Sequence, residues 1–301
     1  MALTTLKEMA GTRRAKFGTL AIELTSPGIG HILKAAGAQF LFLDMEHSGF
    51  GFDTLKQMLR YTEAAQLPTL VRPPSRNYHH IARALDMGAE GIMLPMVGSG
   101  EEAARIVAHA KYPPHGHRGV ALGVAHDRYA PGAPVTKMRA ANRRVAVFPL
   151  IETRQGVENA EAIAATEGVD GIWIGHFDLS TALGHPGQFD HPVVLEAEQR
   201  VARACVKNKK SFACIVPNVE AGVAAYHKGY DMICYSGDVW LLRETLRQGI
   251  DDLKAALADR RKGSPPGRGL TASGSATSIS APRSGIPANS ITLLSWRRSS
   301  G

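Results

Sequence analysis

Four stretches of the chain share one pattern: GAQFLFLD (Gly37 to Asp44), GAEGIMLP (Gly88 to Pro95), GVDGIWIG (Gly168 to Gly175) and GYDMICYS (Gly229 to Ser236). Each opens on a glycine, carries Gln, Glu or Asp two residues later, and then runs into a short apolar segment. A glycine in that place suits the left-handed position that closes a helix. A run that is apolar on both faces suits a buried parallel strand. The pattern therefore predicts one helix-to-strand joint, used four times.

Outward from these joints, eight strands are expected: Gly18–Leu24, Phe40–Asp44, Thr69–Arg72, Gly91–Pro95, Val145–Glu152, Gly171–Gly175, Phe212–Val216 and Met232–Ser236. Amphipathic segments lie between them. Asp53 is placed to cap a helix that buries Leu55, Met58, Leu59 and Thr62. Asp238 is placed to cap one that buries Val239, Leu242, Leu246, Ile250, Leu253 and Leu257. Eight such units in about 250 residues fit the α/β class as a (β/α)8 TIM barrel. A doubly wound sheet would favour a glycine-rich phosphate turn, and neither GxGxxG nor GxxxxGK[ST] occurs. The stretch Tyr112–Arg144 after the fourth strand is long for a connection, which points to function.

Two domains of unequal character follow: a barrel over residues 1–262 and a Ser/Gly/Pro-rich tail over 263–301, expected to be disordered. ITLLSW (Ile291 to Trp296) is the tail's one apolar run. The 301 residues carry 35 Lys+Arg against 27 Asp+Glu, a net charge of +8. Four arginines of the tail, Arg268, Arg283, Arg297 and Arg298, account for half of that excess. The remaining basic residues are scattered, so no nucleic-acid footprint is expected. No apolar run reaches the roughly 18 residues of a membrane span, and the first residues lack the apolar core of a secretory signal. Cys205, Cys214 and Cys234 read as reduced thiols in a cytoplasmic protein.

A barrel does its chemistry at the C-terminal ends of its strands. There the sequence offers Asp44, Glu46 and His47 after strand two, Arg72 after strand three, Pro95 after strand four, Glu152 after strand five, and His176 and Asp178 after strand six. Charged groups at the ends of apolar strands are costly unless paired, solvated or metal-bound. Glu152 and Asp178 end neighbouring strands and together suit a hard divalent cation. Asp178 is equally placed to cap a helix starting at Leu179. Arg72 presents a fork to a carboxylate or enolate oxygen, or an ion pair to Asp44 or Glu46. His47, oriented by Asp44 or Glu46, is the leading proton-transfer group, with His176 as its rival. None of the twelve lysines falls on an expected strand, which disfavours Schiff-base chemistry. Lys111 and Lys137 in the long stretch are the remaining candidates.

LFLDMEHSGF, VRPP, ALDMGAEGIMLPMV, KYPPHGHRGV, IET and GHFDLSTALG, in this order, resemble the HpcH/HpaI family of metal-dependent pyruvate aldolases. The resemblance runs from about residue 5 to residue 258. It implies a phosphoenolpyruvate/pyruvate-type barrel and a class II aldolase that uses Mg2+, Mn2+ or Co2+. Such enzymes cleave 2-keto-4-hydroxy acids to pyruvate and an aldehyde, and run the reverse addition. It further implies Glu152 and Asp178 as metal ligands, His47 as base, Arg72 as enolate stabiliser and Asp44 as the partner that orients His47. The backbone at Gly175, Phe177 and Asp178, beside Pro95, receives the keto acid. Asp86 matches a family acid, although its own place at a helix end, away from the rim, lets it reach a site only across a subunit contact. A homo-oligomer, trimer or hexamer, with exchanged C-terminal helices is implied as well. Two residues depart from the family: Leu150 stands where Gln is usual, and His176 where Pro is usual. Related readings are a CoA-ester lyase of the citrate lyase β type and a metal-dependent oxaloacetate decarboxylase. The non-enzymatic reading is a barrel that binds a small acid without turning it over.

Overall fold

Strands that are apolar on both faces need cover on both sides, and a closed barrel wrapped in helices supplies it. The computed structural model describes residues 5–263. It contains β1 (Lys16–Ala21), β2 (Phe40–Asp44), β3 (Thr69–Arg72), β4 (Gly91–Leu94), β5 (Ala146–Ile151), β6 (Gly171–Ile174), β7 (Ser211–Val216) and β8 (Met232–Gly237). All neighbours pair in parallel, and β8 returns to β1, so the sheet is a closed barrel in sequence order. Helices alternate with the strands around it.

Side-chain parity divides the core in two. Leu41, Leu43, Val71, Ile92, Val147 and Ile172 face the helices. Phe40, Phe42, Leu70, Met93, Phe148, Leu150, Trp173 and Met232 fill the barrel interior. Strand glycines make room for the rings: a Cβ on Gly18 would stand 2.6 Å from the Phe40 ring, and one on Gly171 2.4 Å from the Phe148 ring. The short helix Leu6–Ala10 adds Leu6 and Ala10 to this interior cluster. A Cβ on Gly91 would meet Leu6 at 2.5 Å, so this helix plugs the barrel's N-terminal end.

The four glycines of the joint motif all have positive φ: Gly37 +94°, Gly88 +106°, Gly168 +86° and Gly229 +98°. At Gly37 the chain closes its helix with two reverse bonds, Gly37 N–H to the Lys34 carbonyl and Ala38 N–H to the Leu33 carbonyl. Gly88 and Gly229 repeat this arrangement, and so do Gln66 and Lys209, which adopt φ of 56° and 55° without being glycine. The joint is therefore more widespread than its glycines reveal.

Several expectations are corrected. The helix Phe52–Ala64 buries Leu55, Met58, Leu59 and Thr62 as expected, but its N-cap is Gly51 and Asp53 sits in the first turn. The helix Asp238–Gly263 begins at Asp238, whose carboxylate accepts N–H groups from Ile22, Glu23, Leu24 and Val239. Its apolar stripe is not buried: Leu242, Leu246, Ile250, Leu253 and Leu257 are exposed. The stretch Tyr112–Arg144 contains the helix Pro134–Arg144. Contacts to Asp86, Ala108 and Glu63 anchor it near helix ends on the strands' N-terminal side, not at the rim. Lys16 does lie on a strand, at the N-terminal end of β1, paired with Asp231. Contacts divide the chain after Asp251, inside the last helix. The expected tail beyond Gly263, including Ile291–Trp296, lies outside the described residues.

The joint has a direct test. Nothing lies within 4 Å of a Cβ built on Gly37, so Gly37→Ala meets no steric contact and bears only the left-handed backbone cost. It should destabilise the protein by about 1–2 kcal/mol, read as a lower urea midpoint at unchanged m-value.

Candidate active site

Interior parity carries past the strand ends. Phe40 and Phe42 face inward, so Asp44 does too, and the same alternation brings Arg72, Pro95, Glu152 and Gly175 inward above Leu70, Met93, Leu150 and Trp173. These five residues form the next layer of the barrel at its C-terminal mouth, where barrels place their sites.

Glu152 follows β5 directly. Its side chain is buried, and Oε1 accepts the Met96 N–H at 2.7 Å. Met96 presents that N–H from a left-handed conformation, φ 57°, immediately after Pro95. A Cβ on Gly175 would stand 2.5 Å from Glu152 Oε2, so glycine there keeps open the space that this oxygen uses. Burial pushes the Glu152 pKa up to about 7. The Met96 N–H opposes this, Asp178 adds to it by charge, Arg72 opposes it and Glu46 adds to it. A carboxylate in that state holds a proton or a cation at little cost.

Asp178 is exposed in the first turn of the helix His176–Ala182. That helix starts at His176 with Gly175 as N-cap and no side-chain cap bond. Asp178 therefore does not cap a helix from Leu179, and its carboxylate is left for the mouth it shares electrostatically with Glu152. Among the described residues, no group of three or more His, Cys, Asp or Glu gathers to hold a metal ion. Two carboxylates suit a hard cation that completes its oxygen shell with substrate and water. The buried Glu152 carboxylate, given room by the missing side chain at Gly175, and the negative charge of Asp178 beside it fit such an ion.

Arg72 is clamped rather than free. Nε and Nη2 donate to Asp44 Oδ1 and Oδ2 at 2.7 and 2.6 Å, and Nη1 lies 3.0 Å from Glu46 Oε2. Burial works against the guanidinium's charge, but Asp44, Glu46 and Glu152 outweigh it and raise its pKa. Asp44 thus holds Arg72, the ion pair expected as the alternative role of that arginine, and does not orient His47. His47 has an exposed side chain, and the acid near it is Glu46, at 3.9 Å.

The other candidates fall elsewhere. Asp86 ends the helix Tyr78–Asp86 on the N-terminal side of the barrel and pairs with buried Arg118. Burial brings the Lys111 pKa down to about 7, but this amine donates to the Asn142 and Val145 carbonyls just before β5, far from the mouth. Phe177 is exposed at the rim, edge-on to Phe189 at 4.8 Å. His176 lies 3.4 Å from Glu198 Oε1.

Glu198 escaped the sequence reading. It stands on the helix Pro192–Lys207 and is buried, with Tyr230 Oη at 2.7 Å and Lys228 Nζ at 2.7 Å. A polar residue at an inward helix position was the available signal.

The family model described as HpcH/HpaI aldolase/citrate lyase matches residues 20–243. The chain belongs to this family. It is 34% identical over 232 residues to the 5-keto-4-deoxy-D-glucarate aldolase of Klebsiella pneumoniae, covering 77% of this chain and 90% of that protein. It is 36% identical over 225 residues to the hydroxypyruvate/pyruvate aldolase of Chromohalobacter salexigens, covering 74% and 87%. The crystal structure of an HpcH/HpaI aldolase from Desulfitobacterium hafniense superposes with a TM-score of 0.78 at 31% identity, over 83% of this chain and 97% of that one.

The buried Glu198 gives a pH prediction. Burial alone would raise its pKa, but bonds from His176, Lys228 and Tyr230 hold it at about 2, below its ordinary 4.5. Its stabilisation is complete above pH 4.5 and fades as pH falls toward 2. Glu198→Gln should therefore lower the thermal midpoint at neutral pH. The gap to the native protein should close as thermal scans move from pH 5 to pH 2.

Proposed function

We propose that this protein is a divalent-metal-dependent aldolase. It cleaves 2-keto-4-hydroxy acids to pyruvate, or a related 2-keto acid, and an aldehyde, and it runs the reverse addition. The observation that carries this reading is the buried Glu152 carboxylate, held by the Met96 N–H and given room by Gly175 beside Asp178. The two aldolase relatives support it, because both take the same class of chemistry in their names.

Glu152 and Asp178 would hold Mg2+, Mn2+ or Co2+, an ion that, when bound, polarises a keto group and stabilises the negative charge that develops there. Arg72, fixed by Asp44, would add a second positive group at that oxygen. The Gly175–Phe177–Asp178 backbone, with Pro95 opposite, seats the substrate carboxylate. Leu150 lies where a Cβ on Gly175 would touch it at 3.4 Å, so the wall beside the keto acid is apolar and suits the methyl group of pyruvate. His47 takes the C4 hydroxyl proton in the cleavage direction as the C3–C4 bond breaks, and returns a proton in synthesis. Asp86 would serve a site only across a subunit boundary, in a trimer or hexamer. The enzyme's setting is the cytoplasm; among the described residues no helix is long and apolar enough to cross a membrane.

Pyruvate release, measured over a panel of 2-keto-4-hydroxy acids with each metal, tests the reading. Activity should appear with Mg2+, Mn2+ or Co2+ and vanish with chelator. Glu152→Ala should abolish it, and Arg72→Lys should lower kcat about 10²–10³-fold. Turnover of CoA thioesters in place of these acids, or trapping of a pyruvate–lysine adduct by borohydride, would refute it. Gly175→Ala, which sets a methyl group against Glu152 Oε2, should fold normally and lose most activity.

A further inference from the structure

Arg72 faces more negative charge than it carries. Asp44 takes Nε and Nη2 in a two-pronged pair, and Glu46 Oε2 adds a second carboxylate at Nη1, 3.0 Å away. The two acids are held very differently. Asp44 ends β2, is buried, and also accepts the Glu46 N–H at 2.9 Å. The Glu46 side chain lies beyond the strand and is 26% exposed. Its Oε2 is also 3.9 Å from His47 Nε2, just beyond hydrogen-bond length. One oxygen therefore stands between two partners, in an ion pair with the first and just short of the second. The turn that carries both residues is fixed: Met45 N–H donates to the Arg72 carbonyl, and Ser48 Oγ donates to the Asp44 carbonyl. A shift of about 1 Å, within the reach of one side-chain rotation, moves Glu46 from Arg72 to His47.

We propose that Glu46 is a positioning residue that passes from Arg72 to His47 when the oxygen of a keto acid takes Arg72 Nη1, so that filling the site orients the imidazole that the reaction needs. The inference rests on the aldolase reading above. In the free site Glu46 screens Arg72 and leaves His47 exposed. When substrate oxygen displaces it, the carboxylate accepts the Nε2 proton of His47, and this leaves Nδ1 as the proton acceptor. In cleavage the C4 O–H bond breaks and its proton goes to Nδ1. The electron pair of the C3–C4 bond passes to the keto acid as its enolate, and Glu46 balances the imidazolium. The same carboxylate thus opposes substrate binding before the reaction and supports proton transfer during it.

These two duties have opposite signatures. The test compares native full-length protein, Glu46→Gln and Glu46→Asp, each with Mg2+, by pyruvate calorimetry and by steady-state kinetics on a 2-keto-4-hydroxy acid. Glu46→Gln should bind pyruvate severalfold more tightly and lose about 10²-fold in kcat, so that KM and kcat fall together. Glu46→Asp, which keeps the charge, should recover part of the lost kcat. Weaker or unchanged pyruvate binding by Glu46→Gln would overturn the proposal, as would unchanged kcat or no recovery in Glu46→Asp. If the native protein turns over none of the acids, the aldolase reading falls by itself. The calorimetry still decides whether Glu46 competes for Arg72, and tighter binding by Glu46→Gln remains the required result.

Discussion

A carboxylate buried at the mouth of an apolar barrel is the constraint on which the rest of this site depends. Glu152 has one backbone donor at Oε1, and the absence of a side chain on Gly175 leaves room for Oε2. Asp178 adds negative charge from the next strand end. The nearby guanidinium does not cancel this, since Arg72 is already committed to Asp44 and Glu46. One buried acid and one exposed acid beside it, with the local cation engaged elsewhere, leave a deficit of positive charge. A hard dication fills such a deficit, and a keto acid can then share it.

The fold supplies this constraint through a simple parity. Alternation fixed by Phe42, Leu70, Met93, Leu150 and Trp173 inside the barrel brings Asp44, Arg72, Pro95, Glu152 and Gly175 to its mouth. Each functional group is thus the next inward residue of a strand whose earlier residues pack the core. Packing and chemistry share one register: a slip of a strand by one residue would turn its functional group toward the helices. The interior rings hold that register, with Gly18 and Gly171 giving space to Phe40 and Phe148.

Much of this was legible in the sequence, because strand runs and helix-closing glycines are local signals. The runs at Phe40–Asp44 and Thr69–Arg72 have the observed limits, and all four joint glycines take positive φ. What was not legible depends on distance or on a missing partner. Gln66 and Lys209 close helices as the glycines do, but nothing in their residue type announces a left-handed backbone. Asp44 is three residues from His47, so nearness in sequence left two partners open for it; pairing of β2 with β3 decides for Arg72, the ion pair that the sequence also offered. Glu198 meets Tyr230 and Lys228 across thirty or more residues. The stripe from Leu242 to Leu257 has the period of a buried helix face, yet it is exposed in the single chain. Periodicity reports that a face is apolar, not which surface covers it.

The most direct measurement is a crystal structure grown with Mn2+ and pyruvate, with the ion located by its anomalous scattering. The account requires one ion per mouth, with oxygens of Glu152 and Asp178 at about 2.1 Å and the pyruvate keto oxygen facing Arg72. An ion bound elsewhere, or none, with the Glu152 and Asp178 carboxylates turned away from each other, would contradict it.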